Sequence, residues 1–475
     1  MSIDFALYID GQFLSGGGRV SEPVINPATG QALGHLPHAS RDDLDRAIEA
    51  AQRAFKSWRR VAARERGKML SAAAELIRQR LDAIARIMTL EQGKVLAEAR
   101  GELLHAADVF DWYGEEGRRA YGRVVPGRDA GVRQLVLMEP VGPAAAFTPW
   151  NFPALTPARK IAGALAAGCT MVLKAAEETP GTAVAIAQAL HDAGLPHGVL
   201  NLVFGVPAEV SSHLIAADPI RKISFTGSTA VGKHLLKLAA DGVKRTTMEL
   251  GGNAPVLVFD DADLDQAIAT AVAGKYRNAG QVCIAPSRFF IQERVFDRFV
   301  EGFVRGVEAI SVGDGLRDGV GMGPLANARR IEAMERVLSD AADHGGWLRT
   351  GGTRLRNDGF FFSPAVVTDL ADDALLLREE TFGPVAPITP FASFEEVIAR
   401  ANALPQGLAA YAFTRSSRIA ADVSDALEAG MVGINTLAVS TPETPFGGHK
   451  QSGHGQEGGL EGLQAYLDVK LVVHA

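Results

Sequence analysis

Hydrophobic and polar positions at the start of the chain predict a hairpin followed by a layer of helices. Residues 7–14 place Asp10-Gly11 between two short apolar stretches, which is typical of a tight β-hairpin. From Ser40, a good helix N-cap residue, apolar side chains recur every three or four positions as far as Trp58. The same spacing predicts two further helical stretches, at about 63–89 and 97–119.

After Val141 the pattern changes to short apolar runs, each followed by a turn and then a helical stretch. Strands that alternate with helices form parallel sheets whose two faces are covered. We therefore predict the α/β class, with two doubly wound lobes. The predicted strands are 144–147, 170–173, 200–204 and 223–225 in the first lobe, and 254–259, 289–292, 361–367 and 432–435 in the second.

Two strand-like segments belong to neither series. Tyr121–Pro140 and Ala465–Ala475 are expected to form a projecting ribbon, whose free edges need a partner chain. The expected organisation is a first lobe from 1–120 and 141–249, a second lobe from 250–440, and an arm from 121–140 and 441–475.

Composition and charge disfavour several classes of protein. With 47% hydrophobic and 22% charged residues, the 475-residue chain has the composition of a globular protein. Its 48 Lys and Arg against 55 Asp and Glu give a net charge of −7 without a dense basic block, which argues against nucleic-acid binding. No apolar run reaches the ~18 residues that a membrane span needs, and the start lacks a secretory pattern. A cytoplasmic protein that does not bind membranes is expected.

The chain has only two cysteines, too few for a disulfide framework or a thiolate zinc site, and no metal site is expected. Cys169 lies in an apolar tract and is interpreted as packing. Cys283 lies at the boundary between a helical stretch and a strand, beside a glycine, where a substrate can reach it. The residues alone leave two interpretations of Cys283 open, a nucleophile or a small buried hydrophobe.

Two segments could supply the groups that a thiol nucleophile needs. Glu249, flanked by apolar residues and followed by two glycines, is a candidate general base, because an apolar setting raises a carboxyl pKa towards neutral. The alternative is a solvated loop residue. Asn151 stands between Pro149 and Pro153, which favour an extended path and suit an amide donor aimed at an oxyanion. An ordinary Pro-rich turn is the alternative here.

Two further segments suggest a dinucleotide. Gly227-Ser228 follows a predicted strand and opens a helix, and such a helix N-terminus can bind a pyrophosphate. A simple N-cap by Ser228 is the alternative. Lys174 ends another predicted strand and Glu177 follows it. An acid at that place accepts from a ribose 2′-hydroxyl and repels a 2′-phosphate, which favours NAD over NADP.

Seven sequence blocks, in order, resemble those of the aldehyde dehydrogenase superfamily over nearly the whole chain. They are Pro149-Trp150-Asn151-Phe152-Pro153, Lys174 with Glu177, Phe225-Thr226-Gly227-Ser228, Met248-Glu249-Leu250-Gly251-Gly252, Gly280-Gln281-Val282-Cys283, Glu380-Thr381-Phe382-Gly383-Pro384 and Pro445-Phe446-Gly447-Gly448. The chain most resembles succinate-semialdehyde and α-ketoglutarate-semialdehyde dehydrogenases. This implies a Rossmann-like NAD-binding domain (1–120 and 141–249), a catalytic domain (250–440) and an oligomerisation arm (121–140 and 441–475) of a homodimer or homotetramer.

The resemblance also implies a role for each matched residue. Cys283 would attack the aldehyde, and Asn151 with the Cys283 backbone N–H would stabilise the oxyanion of the thiohemiacetal. After hydride transfer to NAD⁺, Glu249 would activate the water that hydrolyses the thioester. The residues implied in cofactor binding are Thr148, Pro149, Trp150, Lys174, Glu177, Gly227, Ser228, Leu250, Glu380 and Phe382.

The chain also resembles these enzymes at their substrate-binding positions, which are Arg159, Arg277, Ser440, Phe152 and Phe446 here. Two guanidiniums supply the fork geometry that an anion requires, and a pocket for a neutral aldehyde has little reason to desolvate them. We therefore expect an anionic semialdehyde, with succinate semialdehyde as the best guess. The alternatives are α-ketoglutarate semialdehyde, glutarate semialdehyde, a sulfonate-bearing aldehyde, an enzyme that passes its acyl group to coenzyme A, and a non-catalytic dinucleotide-binding protein.

Two positions depart from the resemblance. Ala285 stands where many semialdehyde dehydrogenases have a second cysteine, so a local disulfide switch is not expected. The more usual Gly-x-Gly-Arg-Glu near the C-terminus is replaced by Gly453-His454-Gly455-Gln456-Glu457, which leaves the contacts of that loop open.

Overall fold

The computed structural model describes residues 3–356 and 358–475. It confirms the α/β class and the two predicted doubly wound lobes, each built on one large sheet. The helices are α1 (Arg41–Trp58), α2 (Ala63–Gln79), α3 (Leu81–Gln92), α4 (Leu96–Glu116), α5 (Leu155–Ala167), α6 (Pro180–Asp192), α7 (Pro207–Ala216), α8 (Thr229–Asp241), α9 (Leu264–Tyr276), α10 (Phe296–Glu308), α11 (Ala328–Asp343), α12 (Leu375–Arg378), α13 (Phe394–Asn402), α14 (Ser417–Ala426) and α15 (Gly459–Gln464). None of the helices in these residues is long and apolar enough to cross a membrane.

The strands have two to eight residues each. They are β1 (Leu7–Ile9), β2 (Gln12–Leu14), β3 (Ser21–Ile25), β4 (Ala32–Pro37), β5 (Arg123–Pro126), β6 (Arg133–Pro140), β7 (Ala144–Phe147), β8 (Met171–Lys174), β9 (Leu200–Val203), β10 (Lys222–Thr226), β11 (Arg245–Glu249), β12 (Ala254–Val258), β13 (Pro286–Gln292), β14 (Trp347–Thr350), β15 (Ala365–Thr368), β16 (Val385–Phe391), β17 (Gln406–Gly407), β18 (Ala409–Phe413), β19 (Met431–Ile434), β20 (His449–Lys450), β21 (Gly453–His454) and β22 (Leu467–His474).

The first lobe is built on an eight-stranded sheet in the order β2-β1-β9-β8-β7-β10-β11-β21. The five strands from β9 to β11 are parallel, and β1 and β21 pair with them in the antiparallel direction. The predicted hairpin is present as β1 and β2, and both Asp10 and Gly11 at its turn have positive φ. Helices α1 and α5 pack on β8, which places the sheet centre in the core.

The second lobe is built on a seven-stranded sheet in the order β14-β15-β16-β13-β12-β18-β19. All its pairs are parallel except β14 with β15. The strand predicted at 361–367 begins only at Ala365, because Phe361 and Phe362 are buried outside this sheet. An apolar run therefore indicated burial there but not strand pairing.

One predicted helical stretch, 63–89, is wrong as a single element. The chain forms α2 and α3 instead, and they meet at Arg80, whose φ of −99° and ψ of 12° are not helical. Buried side chains continue on both sides of this break, at Ile77 and Ile84. The apolar spacing therefore does not reveal the bend.

A three-stranded sheet in the order β22-β6-β5 stands apart from both lobes. β22 pairs with β6 along its whole length, from Leu467 opposite Pro140 to His474 opposite Arg133. Within the segment 441–475, Leu467–His474 joins this sheet, whereas Gly453–His454 pairs with β11 at the edge of the first lobe. The contacts of that glycine-rich loop, open from the sequence, are therefore with the strand that ends in Glu249.

Cys169 lies in the core of the first lobe. Its side chain is fully buried, and its thiol donates to the Tyr466 carbonyl oxygen at 3.4 Å. Burial raises the pKa of this thiol to about 11. The interpretation of Cys169 as packing agrees with these contacts.

Candidate active site

A cavity of about 630 Å³ lies where the carboxyl ends of β7, β10 and β11 face the second lobe. In doubly wound sheets this edge is where ligands bind. Asn151 and Glu249 line the cavity from the first lobe, and Cys283 and Glu380 line it from the second. Of all the residues predicted for the site, only three lie outside its lining, and these are Thr148, Lys174 and Glu177.

Cys283 is positioned by a tight left-handed turn before β13. Asn278, Ala279 and Gly280 have φ values of 49°, 53° and 73°, a run that L-residues rarely adopt. A Cβ at position 280 would lie 2.2 Å from the Gly383 carbonyl oxygen, so a glycine is required there. The turn leaves Cys283 partly exposed in the cavity wall.

The Cys283 thiol is protonated at rest. Burial is the main reason why its pKa is raised to about 12, and the carboxylates of Glu380 and Glu249 add to the effect. A thiol becomes a good nucleophile only as the thiolate. Attack on a carbonyl therefore requires a base or a positive charge brought by a ligand.

Asn151 is buried in the loop between β7 and α5. Its Nδ2 donates to the Gln281 carbonyl oxygen at 3.1 Å, which ties it to the segment before Cys283. The amide nitrogen carries two N–H groups, so a second one is available for an oxyanion. This arrangement favours the amide donor over an ordinary Pro-rich turn.

Glu249 is only 2% exposed, and neither of its carboxyl oxygens accepts a hydrogen bond from the described residues. Burial, and after it the nearby Glu457, raises the pKa of this carboxyl well above its usual value. Glu457 itself pairs with the buried Lys160. The alternative of a solvated loop residue is therefore wrong, and Glu249 has the environment of a general base.

Two of the three arginines that line this cavity, Arg159 and Arg277, lie at the predicted substrate-binding positions. Arg159 is 5% exposed, donates to Ser440 Oγ at 2.6 Å and lies 4.1 Å from the centre of the Phe446 ring. Arg277 lies 5.6 Å from the centre of the Phe152 ring but is exposed, so the expected burial holds only for Arg159. Among the described residues, no carboxylate forms an ion pair with either guanidinium. Both guanidiniums are therefore free to form an ion pair with a ligand.

The start of α8 offers an anion site at the opposite side of the cavity. Ser228 caps this 13-residue helix, and its hydroxyl accepts from the Val231 N–H at 3.4 Å. The capping alternative is thus present, and it leaves the other N–H groups of the first turn free. Thr226 Oγ1 is buried beside this turn without a partner among the described residues. These groups fit the pyrophosphate of a dinucleotide.

Lys174 and Glu177 form an ion pair at the end of β8, with a distance of 2.6 Å between Nζ and Oε2. Glu177 Oε1 also accepts from the Gly205 N–H at 3.3 Å. A carboxylate oxygen can accept more than one bond, so Glu177 keeps capacity for a ribose hydroxyl. Thr148 lies buried at the end of the neighbouring β7.

Glu380 and Phe382 face the thiol from the second lobe. Glu380 accepts from the Gly252 N–H at 3.2 Å, and burial raises its pKa to about 7. The Phe382 ring lies edge-on to Trp150, with 5.5 Å between ring centres. Arg330 fixes this segment by donating to the Phe382 carbonyl oxygen at 3.0 Å. A carboxylate beside two aromatic rings fits a nicotinamide riboside.

Sequence reasoning missed the pair that holds the Asn151 loop. Lys94 Nζ donates to the Asn151 carbonyl oxygen at 2.8 Å and to Glu102 Oε2 at 2.5 Å. Glu102 Oε1 in turn accepts from the Ala154 and Leu155 N–H groups at the start of α5. A lysine and a glutamate eight residues apart gave no signal, because such residues are usually exposed on helices. The left-handed turn at Asn278 could have been predicted, since Asn and Gly favour this conformation.

Among the described residues, no cluster of three or more His, Cys, Asp or Glu side chains could hold a metal ion. A thiol, a buried acid, an amide donor and an anion-binding helix end thus share one cavity. This combination of groups is typical of oxidoreductases that use a dinucleotide.

Comparison with known proteins identifies the family. The aldehyde dehydrogenase family model matches residues 14–472, and the chain belongs to this family. A putative 4-(hydroxymethyl)benzenesulfonate dehydrogenase from Comamonas testosteroni is 47% identical over 466 residues, which are 98% of this chain and 97% of the relative. The NADP⁺ succinate-semialdehyde dehydrogenase of Escherichia coli K12 is 45% identical over 462 residues, which are 97% of this chain and 96% of the relative.

Solved structures of the family superpose on nearly the whole chain. One is the betaine aldehyde dehydrogenase of Staphylococcus aureus in complex with NAD⁺, which is 34% identical and has a TM-score of 0.96. The match covers 99% of this chain and 95% of that chain. The chain is therefore an aldehyde dehydrogenase, and members of this family use NAD or NADP.

Proposed function

We propose that the protein oxidises an aldehyde that carries an anionic group at its distal end, with NAD⁺ as the preferred cofactor. The observation that supports this most strongly is the pair of guanidiniums, Arg159 and Arg277, which form no ion pair with the described residues and share a cavity with Cys283. Arg159 is buried with a hydroxyl and an aromatic ring but no carboxylate beside it, and burial of such a cation is costly unless an anionic ligand compensates it. A distal anion is that ligand.

Each catalytic residue of the cavity has a separate role in the proposed reaction. The Cys283 sulfur adds to the aldehyde carbon, and the oxyanion formed accepts N–H bonds from Asn151 and from the Cys283 backbone. The nicotinamide cofactor, when bound, supplies the hydride acceptor. Glu249 then takes a proton from the water that attacks the thioester, which releases the carboxylic acid and the free thiol.

Succinate semialdehyde is the first substrate to test, since only two methylene groups separate its carboxylate from its aldehyde. The 45% identity to a succinate-semialdehyde dehydrogenase supports it. A sulfonate-bearing aldehyde is the second candidate, because a 3-sulfolactaldehyde dehydrogenase from Pseudomonas putida is 43% identical over 465 residues. α-Ketoglutarate and glutarate semialdehydes carry the same distal charge on a longer chain.

Replacing Arg277 with alanine tests the anion site. Arg277→Ala should raise KM for succinate semialdehyde by about 10- to 100-fold, because a charge-assisted hydrogen bond is lost. KM for butanal, which has the same length and no charge, should change little. Steady-state rates of NADH formation measure both.

Arg298→Ala is the matched control for this experiment. Arg298 is a neighbouring exposed arginine whose ion pair with Asp265 lies away from the thiol. Its loss should leave both KM values unchanged. An equal rise for succinate semialdehyde and butanal in Arg277→Ala would mean that Arg277 does not bind the anion.

The preference for NAD⁺ is proposed from Glu177. Glu177→Ser removes a ribose acceptor and a negative charge, so the ratio of kcat/KM for NAD⁺ to that for NADP⁺ should fall at least about tenfold. The measurement is a pair of cofactor titrations at saturating aldehyde.

Glu178→Gln serves as the control for the cofactor experiment. Its carboxylate is adjacent in sequence but pairs with Arg329 at 2.7 Å, so the ratio should not change. A wild-type protein that has the higher kcat/KM with NADP⁺ would reject the preference, as would a ratio unchanged in Glu177→Ser.

Members of the family are typically oligomeric, and we propose that β5, β6 and β22 form the arm of a homodimer or homotetramer. Several large apolar side chains of this sheet are exposed in the single chain, and these are Val124, Leu137, Val469, Leu471 and Val473. Exposed apolar side chains on a sheet with free edges favour burial against another copy.

A further inference from the structure

Arg330 is a cavity residue to which the proposed reaction assigns no role. It lies in the first turn of α11 and lines the cavity from the second lobe. Its neighbours on this helix, Arg329 and Arg336, pair with Glu178 and Glu379. No carboxylate among the described residues forms an ion pair with Arg330 itself. Its charge is therefore available to the groups around the cavity.

The Nη2 group of Arg330 holds the backbone of Phe382. It donates to the Thr381 carbonyl oxygen at 2.7 Å and to the Phe382 carbonyl oxygen at 3.0 Å. These carbonyls belong to the two peptide units that flank the Phe382 Cα atom, so the two bonds together restrain its φ and ψ. Phe382 has a φ of 45°, in the left-handed region that L-residues rarely adopt. Arg330 therefore stabilises a backbone conformation that is unfavourable by itself.

The segment that Arg330 holds also carries Glu380, the residue before Thr381. Glu380 Oε1 accepts from the Gly252 N–H at 3.2 Å, and a Cβ at position 251 would lie only 2.5 Å from Glu380 Oε2. The carboxyl group thus lies directly against the loop that follows β11 in the first lobe. Its position depends on this loop and, through Thr381, on the second-lobe helix α11.

The charge of Arg330 also acts on Glu380. Burial raises the pKa of this carboxyl group to about 7, whereas the Gly252 N–H and the Arg330 guanidinium act in the opposite direction. Cys283 and Glu249 line the same cavity, but the thiol is neutral below its pKa of about 12, and the pKa of Glu249 is itself raised. Arg330 therefore supplies positive charge that favours the ionised form of Glu380.

An ionised carboxylate binds a ribose better than a neutral carboxyl group does. Both oxygens of a carboxylate accept hydrogen bonds, whereas a protonated carboxyl group has turned one of them into a donor. Hydrogen bonds to a charged acceptor are also about twice as strong as neutral ones. The two hydroxyl groups of a nicotinamide ribose would therefore favour Glu380 in its ionised form.

We propose that Arg330 is a positioning residue for NAD⁺, because it fixes the Phe382 backbone and holds the Glu380 carboxyl group in place and ionised for the nicotinamide ribose. The inference rests on the proposed function, since it requires that the dinucleotide occupies this cavity. Arg330 acts through Glu380 and Phe382 and takes no part in the steps at Cys283.

Arg330→Gln and Arg330→Lys separate the charge from the hydrogen bonds. Glutamine keeps an N–H donor without the charge, and lysine keeps both a donor and the charge. Isothermal titration calorimetry measures Kd for NAD⁺ between pH 6 and pH 10 without aldehyde. In wild-type protein Kd should rise as the pH falls through the Glu380 pKa of about 7. In Arg330→Gln the rise should begin at a higher pH, because loss of the cation raises that pKa, whereas Arg330→Lys should follow the wild-type curve.

The pH at which the effect is largest distinguishes this role from a structural one. The Kd of Arg330→Gln should exceed that of wild-type protein by about five- to tenfold near pH 8, where Glu380 is ionised only in the wild type. The ratio should be below about threefold at pH 6 and at pH 10, where Glu380 has the same charge in both proteins. A purely structural role would raise Kd by one factor at every pH.

Arg336→Gln is the matched control. It removes a cation from the same helix, but Arg336 pairs with Glu379 at 2.7 Å and lies outside the cavity lining, so Kd should not change. Circular dichroism checks that each variant is folded over the pH range. If Arg330→Gln does not fold, the wild-type curve and the Arg330→Lys curve still decide the matter.

The outcomes separate this inference from the proposed function. A ratio of Kd values that is the same at every pH overturns the inference, and so does a wild-type Kd that does not rise below pH 8. An Arg330→Lys curve that departs from the wild-type curve and coincides with that of Arg330→Gln also overturns it. Failure of folded wild-type protein to bind NAD⁺ at any pH contradicts the proposed function itself.

Discussion

Cys283→Ala should abolish aldehyde oxidation, with kcat lowered by a factor on the order of 10⁵, because the covalent intermediate cannot form. Hydride does not leave an unactivated aldehyde carbon, whereas sulfur attack makes that carbon tetrahedral and electron-rich. The factor by which kcat falls should be equal for anionic and neutral aldehydes, since both need the attack by sulfur. NADH formation at saturating aldehyde measures it.

Cys169→Ala is the matched control for the nucleophile. Its thiol is fully buried in the core of the first lobe and does not line the cavity, so its removal should leave kcat nearly unchanged. Iodoacetamide should modify Cys283 in preference to Cys169, because only Cys283 is partly exposed in the cavity wall, and activity should fall in proportion. Full NADH production by Cys283→Ala would contradict the role of Cys283 as the nucleophile.

Glu249→Gln should separate the two halves of the reaction. Thioester formation continues, but hydrolysis slows by about 10²- to 10³-fold because the water loses its general base. A rapid burst of one NADH per active site should therefore precede a slow steady state. Because the pKa of Glu249 is raised, wild-type kcat should fall as the pH is lowered through that pKa, and the variant should lose this dependence.

The burst experiment also tests transfer to coenzyme A. Added coenzyme A should leave the wild-type product as the free acid, since the buried Glu249 directs hydrolysis. Acyl-coenzyme A as the main product would contradict this account. A Glu249→Gln variant with wild-type kcat and no burst would show that another group activates the water.

Much of the fold could be predicted because its periodicities are local. The hairpin at Asp10-Gly11 and the central strand Ala144–Phe147 appear where apolar runs and turn residues place them. The break at Arg80 could not be predicted, since burial continues on both sides of it. The spacing of apolar residues indicates which side chains are buried, but it does not indicate where a helix bends or ends.

Most of the candidate site could also be predicted, but for a different reason. The short blocks around Asn151, Glu249 and Cys283 are the ones predicted to carry the chemistry, and the fold brings them to one cavity. Lys94 escaped prediction because its contact joins distant parts of the chain. Lys94 reaches the Asn151 carbonyl across 57 positions, and no local pattern encodes such a pairing.

The proposed reaction oxidises an anionic aldehyde to a thioester on Cys283. The direct measurement is peptide mass spectrometry on Glu249→Gln, quenched in acid within the burst after mixing with succinate semialdehyde and NAD⁺. The account predicts one succinyl group on the peptide that contains Cys283, in the same amount as the NADH formed. NADH formed while that peptide stays unmodified would contradict it.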